Sequence, residues 1–240
     1  MNVLITGGGS GLGEAITRML AMDTKNTIYF TFSNSVQNAK KIELDCTNSK
    51  AIKCDFKKEA EVTALVNEID TLGIDILINN AYNDNSKHTY FHKIDKEEFS
   101  ADFMHNIIPT VRIAQSAINH FRRKKSGKII TILTSGLTNV PPLGWSCYTA
   151  NKAYLGSLVK SWANENIKFN ITSNAVSPAF MQTNLTSEVD HRIIEQMIDK
   201  HPLKKLLTIE EVAETVLFLS KASSQINGVD ILINHGINIK

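Results

Sequence analysis

Residues 6–13 read TGGGSGLG, and five of the seven positions from Gly7 to Gly13 are glycine. An apolar strand is predicted for residues 2–6 before this stretch, and an amphipathic helix for residues 11–22 after it. Glycines at such a junction let the backbone approach a phosphate closely, and the helix N-terminus offers free N–H groups and a positive dipole end. The spacing is Gly-xxx-Gly-x-Gly, which differs from the common GxGxxG fingerprint. A tight turn would also use glycine, but the βαβ context favours dinucleotide binding.

Strands and helices alternate through the rest of the chain. Further strands are predicted at residues 27–32, 51–54, 75–79, 128–134, 170–176 and 229–233. Further helices are predicted at residues 37–46, 57–72, 148–164, 192–197 and 212–220, with a long helix after Asp95. This alternation is typical of a parallel sheet covered by helices on both faces. We therefore predict one α/β domain over residues 1–240, with a Rossmann-fold, doubly wound parallel sheet of about seven strands.

Two helix starts and one long interruption stand out in this pattern. Asp95 with Glu98, and Thr208 with Glu211, have the spacing of capping boxes. Residues 177–202 are the one long interruption of the strand-helix alternation. Such insertions often close over a substrate, so we predict a substrate lid at about residues 177–202.

Composition and charge exclude several classes of function. The chain has 240 residues, 42% hydrophobic and 21% charged, which suits a globular domain with a substantial core. A net charge of +2 indicates no broad surface for nucleic acid or membrane lipid, and no run of 18 apolar residues is present to span a membrane. Cys46, Cys54 and Cys147 form no metal-binding pattern and cannot all pair, so we predict a cytoplasmic protein without a metal.

Tyr148 and Lys152 are four residues apart, and Ser135 lies thirteen residues before the tyrosine. Four residues are about one helical turn, so the phenol and the ammonium share a face of the predicted helix. An ammonium near a phenol favours the phenolate and lowers a pKa of roughly 10 toward neutrality. Such a tyrosine can exchange a proton with an alcohol or carbonyl oxygen, and a serine hydroxyl can hold that oxygen. The Tyr–Lys spacing alone also fits a partly exposed tyrosine beside a solvated lysine.

Several motifs in one order make the chain resemble the short-chain dehydrogenase/reductase family nearly from end to end. Residues 6–13 resemble the TGxxxGxG turn of the family, residues 79–81 resemble the start of its NNAG motif, and Tyr148 matches its catalytic tyrosine. The resemblance implies a nicotinamide dinucleotide cofactor. The residues that the resemblance places against this cofactor are Gly7, Gly9, Ser10, Gly11, Leu12, Gly13, Asp55, Phe56, Asn80, Ala81, Tyr148, Lys152, Pro178 and Thr183.

The resemblance also implies a catalytic set and a reaction. Ser135 would donate a hydrogen bond to the substrate oxygen, and Tyr148 would protonate that oxygen as hydride arrives. Lys152 would hold the pKa of the tyrosine down and bind the ribose hydroxyls, and Asn106 would fix a water that joins Lys152 to solvent. The implied activity is reduction of a carbonyl or oxidation of a secondary alcohol with NAD(P)(H).

Two positions depart from the family pattern. Tyr82 stands where the NNAG motif has glycine, and Ala179 replaces the glycine that follows Pro178 in the family. Tyr82 would make the loop behind the cofactor bulkier, or it would project toward the substrate. Neither change removes a reacting group, so the predicted chemistry stays the same.

The choice between the two nicotinamide dinucleotides depends on the end of the second predicted strand. NAD binders usually place a carboxylate there to hold the ribose, but residues 32–35 read Phe-Ser-Asn-Ser. The hydroxyl of Ser33 and the amide of Asn34 leave room for a 2′-phosphate and can donate hydrogen bonds to it, although this stretch has no arginine to bind it. The absence of charge repulsion favours NADP(H), with NAD(H) as the alternative.

The substrate is the least determined property. The stretch from Thr31 to Ala39 resembles the 3-oxoacyl-acyl-carrier-protein reductase branch of the family, so a ketoreductase is predicted. A carrier protein is acidic, so the basic residues of the long helix are candidates to bind it. The alternatives are that they are solvated on the surface or lie in a subunit interface. They are Arg112, Arg122, Arg123 and Lys124. A sugar, polyol or steroid dehydrogenase would carry the same motifs. The predicted lid and the loop 82–92 would decide between them.

Two other classes of function and the oligomeric state complete the expectations. A sugar epimerase would use the same Tyr–Lys pair but needs a longer substrate domain, and a catalytically silent cofactor-binding module would be free to lose that pair. The resemblance implies a homotetramer or homodimer, with interfaces through the long helices and the last strand. The long helix offers four apolar residues for the core or such an interface: Ile107, Ile108, Val111 and Ile113.

Overall fold

The computed structural model describes residues 1–83, 89–138, 140–183, 186 and 189–237. Along these residues, seven strands alternate with seven α-helices, except that two helices stand between the last two strands. The strands are β1 Asn2–Ile5, β2 Thr27–Phe32, β3 Ser49–Lys53, β4 Ile76–Asn79, β5 Gly127–Ile132, β6 Ile171–Pro178 and β7 Asp230–Ile233. The helices are α1 Gly11–Ala21, α2 Val36–Asp45, α3 Glu59–Leu72, α4 Lys96–Lys124, α5 Ser146–Glu165, α6 His191–Lys200 and α7 Ile209–Lys221. Each predicted strand and helix is confirmed, with its ends within a few residues of the prediction.

All seven strands pair in one parallel sheet with the order β3-β2-β1-β4-β5-β6-β7. The predicted fold class, a doubly wound Rossmann-type sheet, is therefore confirmed. The chain runs from β1 outward to β3, then returns to place β4 on the other side of β1. The connections leave this junction in opposite directions, so a crevice forms outside the carboxyl ends of β1 and β4.

Alternate residues of the central strands build a hydrophobic core on each face of the sheet. In β1, Leu4 packs with α3, α4 and α5, whereas Ile5 packs with α1, α2 and α7. In β4, Leu77 and Ile78 divide between the two cores in the same way. Because successive strand side chains point to opposite faces, an unbroken apolar run is what a strand buried on both faces requires.

One of the two predicted capping boxes is present. Thr208 and Glu211 exchange hydrogen bonds between side chain and backbone at the start of α7, with distances of 2.9 and 3.2 Å. Asp95 is the N-cap residue of α4, but its side chain makes no capping bond, so the predicted box with Glu98 is wrong. The backbone carbonyl of Asp95 instead accepts the N–H of Phe99 at 3.0 Å. The carboxylates of the first turn still suit the positive end of the helix dipole.

Parts of two segments predicted to contact substrate lie outside the described residues. These are residues 84–88 of the loop 82–92, and residues 184, 185, 187 and 188 of the predicted lid. Within residues 177–202, α6 confirms the predicted short helix, whereas the role of this segment as a substrate lid stays a prediction. Among the described helices, none combines the length and the apolar character needed to cross a membrane.

Candidate active site

A cavity of about 810 Å³ opens at the carboxyl ends of the strands, where the connections that follow β1 and β4 leave the sheet in opposite directions. This is the usual place and a usual size for a ligand site in an α/β sheet. Most residues predicted to contact the cofactor line it: Gly7, Gly9, Ser10, Gly11, Leu12, Gly13, Ser33, Asn34, Phe56, Asn80, Ala81, Tyr148, Lys152, Pro178 and Thr183. The structure therefore brings residues that are up to 176 positions apart in sequence, from Gly7 to Thr183, to one site.

The glycine turn is held tightly against its neighbours. The N–H of Gly7 donates to the Thr31 hydroxyl at 2.8 Å, and the Asn38 amide donates to the carbonyl of Gly9 at 2.7 Å. A Cβ atom added to Gly13 would lie 2.0 Å from the carbonyl oxygen of Gly7. The turn therefore admits no side chain at Gly13, and the backbone of the turn itself lines the cavity. Free N–H groups in the first turn of α1 suit a pyrophosphate there.

Asn80 joins the ends of β1 and β4 at the crevice. Its amide donates to the carbonyls of Thr6 and Gly7 at 3.0 and 3.2 Å. In return, the Thr6 hydroxyl accepts the backbone N–H groups of Asn80 and Ala81, each at 3.0 Å. These bonds satisfy backbone groups just beyond the paired residues of β1 and β4, and they hold the ends of the two strands together.

Asp55 lies beside the cavity but is not one of its lining residues. The cavity is lined by its neighbours Cys54, Phe56 and Lys57. The Asp55 carboxylate accepts the N–H of Lys57 at 3.0 Å, and the Asp55 N–H donates to Glu61 at 2.7 Å. The predicted contact of Asp55 with the cofactor stays a prediction.

Tyr148 and Lys152 lie one turn apart on α5, and both line the cavity. Lys152 is only 4% exposed, and its Nζ donates to the carbonyl oxygen of Ile132 at 2.7 Å. The same Nζ lies 5.6 Å from the centre of the Tyr148 ring. Burial lowers the pKa of Lys152 to about 7. The amine can therefore gain or lose a proton near neutral pH, beside a phenol that faces the cavity.

Ser135 follows β5 at the start of a short 3-10 helix, two residues beyond Leu133, which lines the cavity. Ser135 is buried, and its backbone carbonyl accepts the hydroxyl of Thr138 at 2.9 Å. The predicted hydrogen bond from Ser135 to substrate stays a prediction.

Asn106 is fully buried in α4 and clamps the loop that follows β4. Its side chain accepts the N–H of Asn83 at 2.6 Å and donates to the carbonyl of Asn83 at 3.0 Å. Its own backbone carbonyl accepts the Thr110 hydroxyl at 2.7 Å. The structure thus gives Asn106 a clear anchoring contact, whereas its predicted water relay to Lys152 stays a prediction.

Sequence reasoning missed two polar residues beside the site, Asp102 and Asn151. Asp102 is a buried acid four residues before Asn106 on α4, and Asn151 directly precedes Lys152 on α5. Both bind the hydroxyl of Tyr82, the residue that departs from the family's glycine. The four-residue spacing of Asp102 and Asn106 was the available signal, because it places two polar groups on one helix face.

The parallel sheet, the glycine turn and the cavity beside it are the arrangement of an α/β protein that binds a dinucleotide. A family model described as enoyl-(acyl carrier protein) reductase matches residues 7–238. The chain belongs to the short-chain dehydrogenase/reductase family. The resemblance inferred from its motifs is thereby confirmed.

Curated relatives and a solved structure match over nearly the whole chain. The 3-oxoacyl-acyl-carrier-protein reductase MabA of Mycobacterium tuberculosis is 30% identical over 241 residues, covering 99% of this chain and 93% of MabA. Carbonyl reductase family member 4 of Xenopus laevis is 30% identical over 237 residues, covering 98% and 97% of the two chains. A solved short-chain dehydrogenase/reductase family protein has a TM-score of 0.85 at 25% identity, covering 97% and 95%.

Proposed function

We propose that the protein is an NADPH-dependent ketoreductase that acts on 3-oxoacyl groups, with Tyr148 as the general acid. The observation that carries this proposal is the buried Lys152 beside Tyr148, at a cavity that begins at the glycine turn. Relatives named 3-oxoacyl-acyl-carrier-protein reductase support the choice of substrate class.

The side chains divide the work between proton transfer and positioning. A bound nicotinamide would supply hydride to the carbonyl carbon. Tyr148 would protonate the carbonyl oxygen, and the Lys152 ammonium would favour the phenolate that this step leaves behind. The Ser135 hydroxyl would hold the same oxygen. With a pKa of about 7, Lys152 is suited to returning a proton to Tyr148 near neutral pH.

The activity is tested by following NADPH oxidation with a 3-oxoacyl thioester, a β-ketoester, a diketone, a sugar and a 2-enoyl thioester. We expect turnover of the 3-oxoacyl thioester with a kcat/KM at least about tenfold above the other compounds, equivalent to about 1.4 kcal/mol of transition-state binding. Preference for the sugar would favour the polyol dehydrogenase alternative. Silence on every compound, with NADPH still bound, would favour the binding module.

A more specific proposal is that the 3-oxoacyl group is attached to an acyl carrier protein. The four basic residues of α4 considered for this contact bind partners in the same chain: Arg112 with Glu59, Arg122 with Asn166, Arg123 with Asp70 and Lys124 with Asp75. Asp75 precedes β4, whereas Asn80 follows β4 and lines the cavity. The C-terminal end of α4 thus lies near the amino ends of the strands, opposite the cavity. This position favours a structural role for the basic residues Arg122, Arg123 and Lys124. Comparing one 3-oxoacyl group on a carrier protein and on a short thiol would separate the two substrates.

Preference for NADP(H) is supported by the charges near the end of β2. Ser33 and Asn34 line the cavity there, together with Lys57 from the loop after β3. Lys53, the last residue of β3, donates from its Nζ to the carbonyl of Ser33. Two lysines on the neighbouring segment therefore bring positive charge to the place where an arginine was missing from residues 32–35. A 2′-phosphate would gain charge-assisted hydrogen bonds from such groups.

Replacing Lys57 by alanine is expected to weaken NADPH binding about tenfold and NADH binding less than about threefold. The loss corresponds to one charge-assisted hydrogen bond to the 2′-phosphate, which NADH lacks. Fluorescence titration with both reduced cofactors measures the two dissociation constants. Lys50→Ala is the matched control, since Lys50 lies on β3 over the ring of Tyr29. Equal losses for both cofactors, or tighter binding of NADH by the unmodified protein, would contradict the preference.

A homotetramer or homodimer is proposed through the outer face of α4 and α5. The structure separates the apolar residues of α4, since Ile107 and Ile113 lie in the core, whereas Met104 is 54% exposed. On α5, Tyr154 is 45% exposed and stacks edge-to-face with Phe103 of α4. Exposed apolar side chains on adjacent helices support an interface at this face.

A further inference from the structure

A buried carboxylate connects helix α4 with helix α5, which carries Tyr148, and with the loop after β4, which carries Tyr82. Asp102, 6% exposed on α4, accepts the hydroxyl of Tyr82 at 2.9 Å and the amide of Asn151 at 2.7 Å through Oδ2. Its Oδ1 accepts the amide of Asn106 at 2.9 Å. The Asn151 amide also lies 3.2 Å from the Tyr82 hydroxyl. Asp102 therefore ties the loop after β4 and helix α5 to helix α4, with both of its oxygens bonded.

The ring of Tyr82 extends from this anchor to the reacting side chains. It meets the Tyr148 ring edge-to-face, with 5.0 Å between centroids and 79° between planes. The Nζ of Lys152 lies 5.0 Å from the Tyr82 ring centroid. Edge-to-face rings attract each other, and an ammonium over a ring face is stabilised most where water is excluded. Tyr82 is thus in contact with both residues of the Tyr–Lys pair.

We propose that Tyr82 is a positioning residue: its hydroxyl is anchored on Asp102, and its ring holds Tyr148 in place and stabilises the ammonium of Lys152. The inference rests on the proposed role of Tyr148 as general acid. Tyr82 itself does not exchange protons, because burial and the nearby Asp102 raise its pKa and keep the hydroxyl protonated. Tyr82, which stands where the family has glycine, therefore acts by packing its ring against Tyr148 and Lys152.

Among the described residues, two titratable side chains lie against the Lys152 ammonium: Tyr148 of its own helix and Tyr82 of the loop after β4. Asp102 of α4 is connected to this pair through the preceding residue, Asn151, and through the hydroxyl of Tyr82. Loss of the Tyr82 ring removes the cation–π contact, so Lys152 holds its proton less firmly. The phenolate of Tyr148 then has less support, and the pKa of Tyr148 rises.

The test is a spectrophotometric titration of tyrosine ionisation in Tyr82→Leu and Tyr82→Phe. A Tyr148→Phe variant assigns the transition that belongs to Tyr148. In Tyr82→Leu, we expect the Tyr148 midpoint to rise by about 0.5 to 1 pH unit. Tyr82→Phe keeps the ring, so its midpoint moves by less than half of that shift. An unmoved midpoint in the leucine variant, or equal shifts in both variants, would overturn the proposal.

Kinetics supply a second readout of the same variants. In Tyr82→Leu, kcat for a reduced carbonyl is expected to fall about 5- to 10-fold near neutral pH, while KM for NADPH stays within about threefold. Tyr82→Phe is expected to recover most of the lost kcat. If the leucine variant does not fold, Tyr82→Gly gives the same test with the residue that the family has at this position.

The titration needs no substrate, which separates this inference from the proposed function. Tyr29→Phe is the control, because Tyr29 also has a lysine over its ring, with Lys50 Nζ at 6.0 Å, but does not line the cavity. Its Tyr148 midpoint should match that of the unmodified protein. A shifted midpoint with no reduction of any carbonyl would sustain the positioning role and refute the ketoreductase. Reduction of a carbonyl together with an unchanged Tyr148 midpoint in Tyr82→Leu would sustain the ketoreductase and refute the positioning role.

Discussion

Replacing Tyr148 by phenylalanine is expected to lower kcat for carbonyl reduction at least about 100-fold, the lower end of general-acid effects. The ring contacts with Tyr82 and Trp145 remain possible for phenylalanine, so the change removes the proton donor and little of the packing. NADPH oxidation at saturating substrate measures the loss. NADPH affinity, measured by fluorescence titration, should stay within about tenfold, since one hydroxyl contact at most is lost.

Tyr29→Phe is the matched control for this experiment. It removes a tyrosine hydroxyl from β2, and Tyr29 is not among the residues that line the cavity. Its kcat should equal that of the unmodified protein. Turnover by Tyr148→Phe close to that of the control, on any carbonyl that the enzyme accepts, would refute the assignment of the general acid.

Replacing Lys152 by methionine is expected to lower kcat about 100-fold or more and to make the folded protein more stable at acidic pH. The buried ammonium has the carbonyl of Ile132 as a hydrogen-bond acceptor. Replacing buried ion pairs with apolar side chains of similar volume is often neutral or stabilises a protein by about 1 to 4 kcal/mol, and we expect a gain of this order for the single buried charge of Lys152. Urea denaturation of both proteins near pH 6 measures the difference in the free energy of unfolding.

The stability difference should change with pH in a defined direction. Lys152 has a pKa of about 7 in the folded protein, well below the ordinary value of 10.5. Between these two values the unfolded chain binds a proton that the folded chain does not, so rising pH stabilises the folded state. The penalty of the buried charge is therefore complete below about pH 7 and is relieved as the pH rises toward 10.5.

The advantage of Lys152→Met over the unmodified protein should shrink across that interval. Lys160→Met is the control, since Lys160 is an exposed lysine on the same helix. Its free energy of unfolding should follow the unmodified protein at each pH. A stability difference for Lys152→Met that does not change with pH would mean that the buried amine titrates with an ordinary pKa.

Most of the fold could be predicted because its signals are local. The apolar run of β4 and the amphipathic spacing of α3 depend on neighbours within a few residues, and both elements were placed correctly. The capping box of Thr208 and Glu211 is equally local and is present. The box predicted at Asp95 failed because its residue pattern allows the two bonds but does not require the side chains to form them.

The sequence by itself determined the glycine turn and the Tyr148–Lys152 pair, because each depends on residue types at a short, fixed spacing. It also determined the family, because several such motifs follow one another in a fixed order along the chain. Only the tertiary structure decided how these groups are supported. Tyr82 contacts Asp102, which is 20 residues away in sequence, and Asn151, which is 69 residues away, and Asp102 contacts Asn151 across 49 residues. No periodic pattern in the sequence encodes such contacts. The burial that lowers the pKa of Lys152 is also a property of the packed fold, since it depends on how α5 lies against β5.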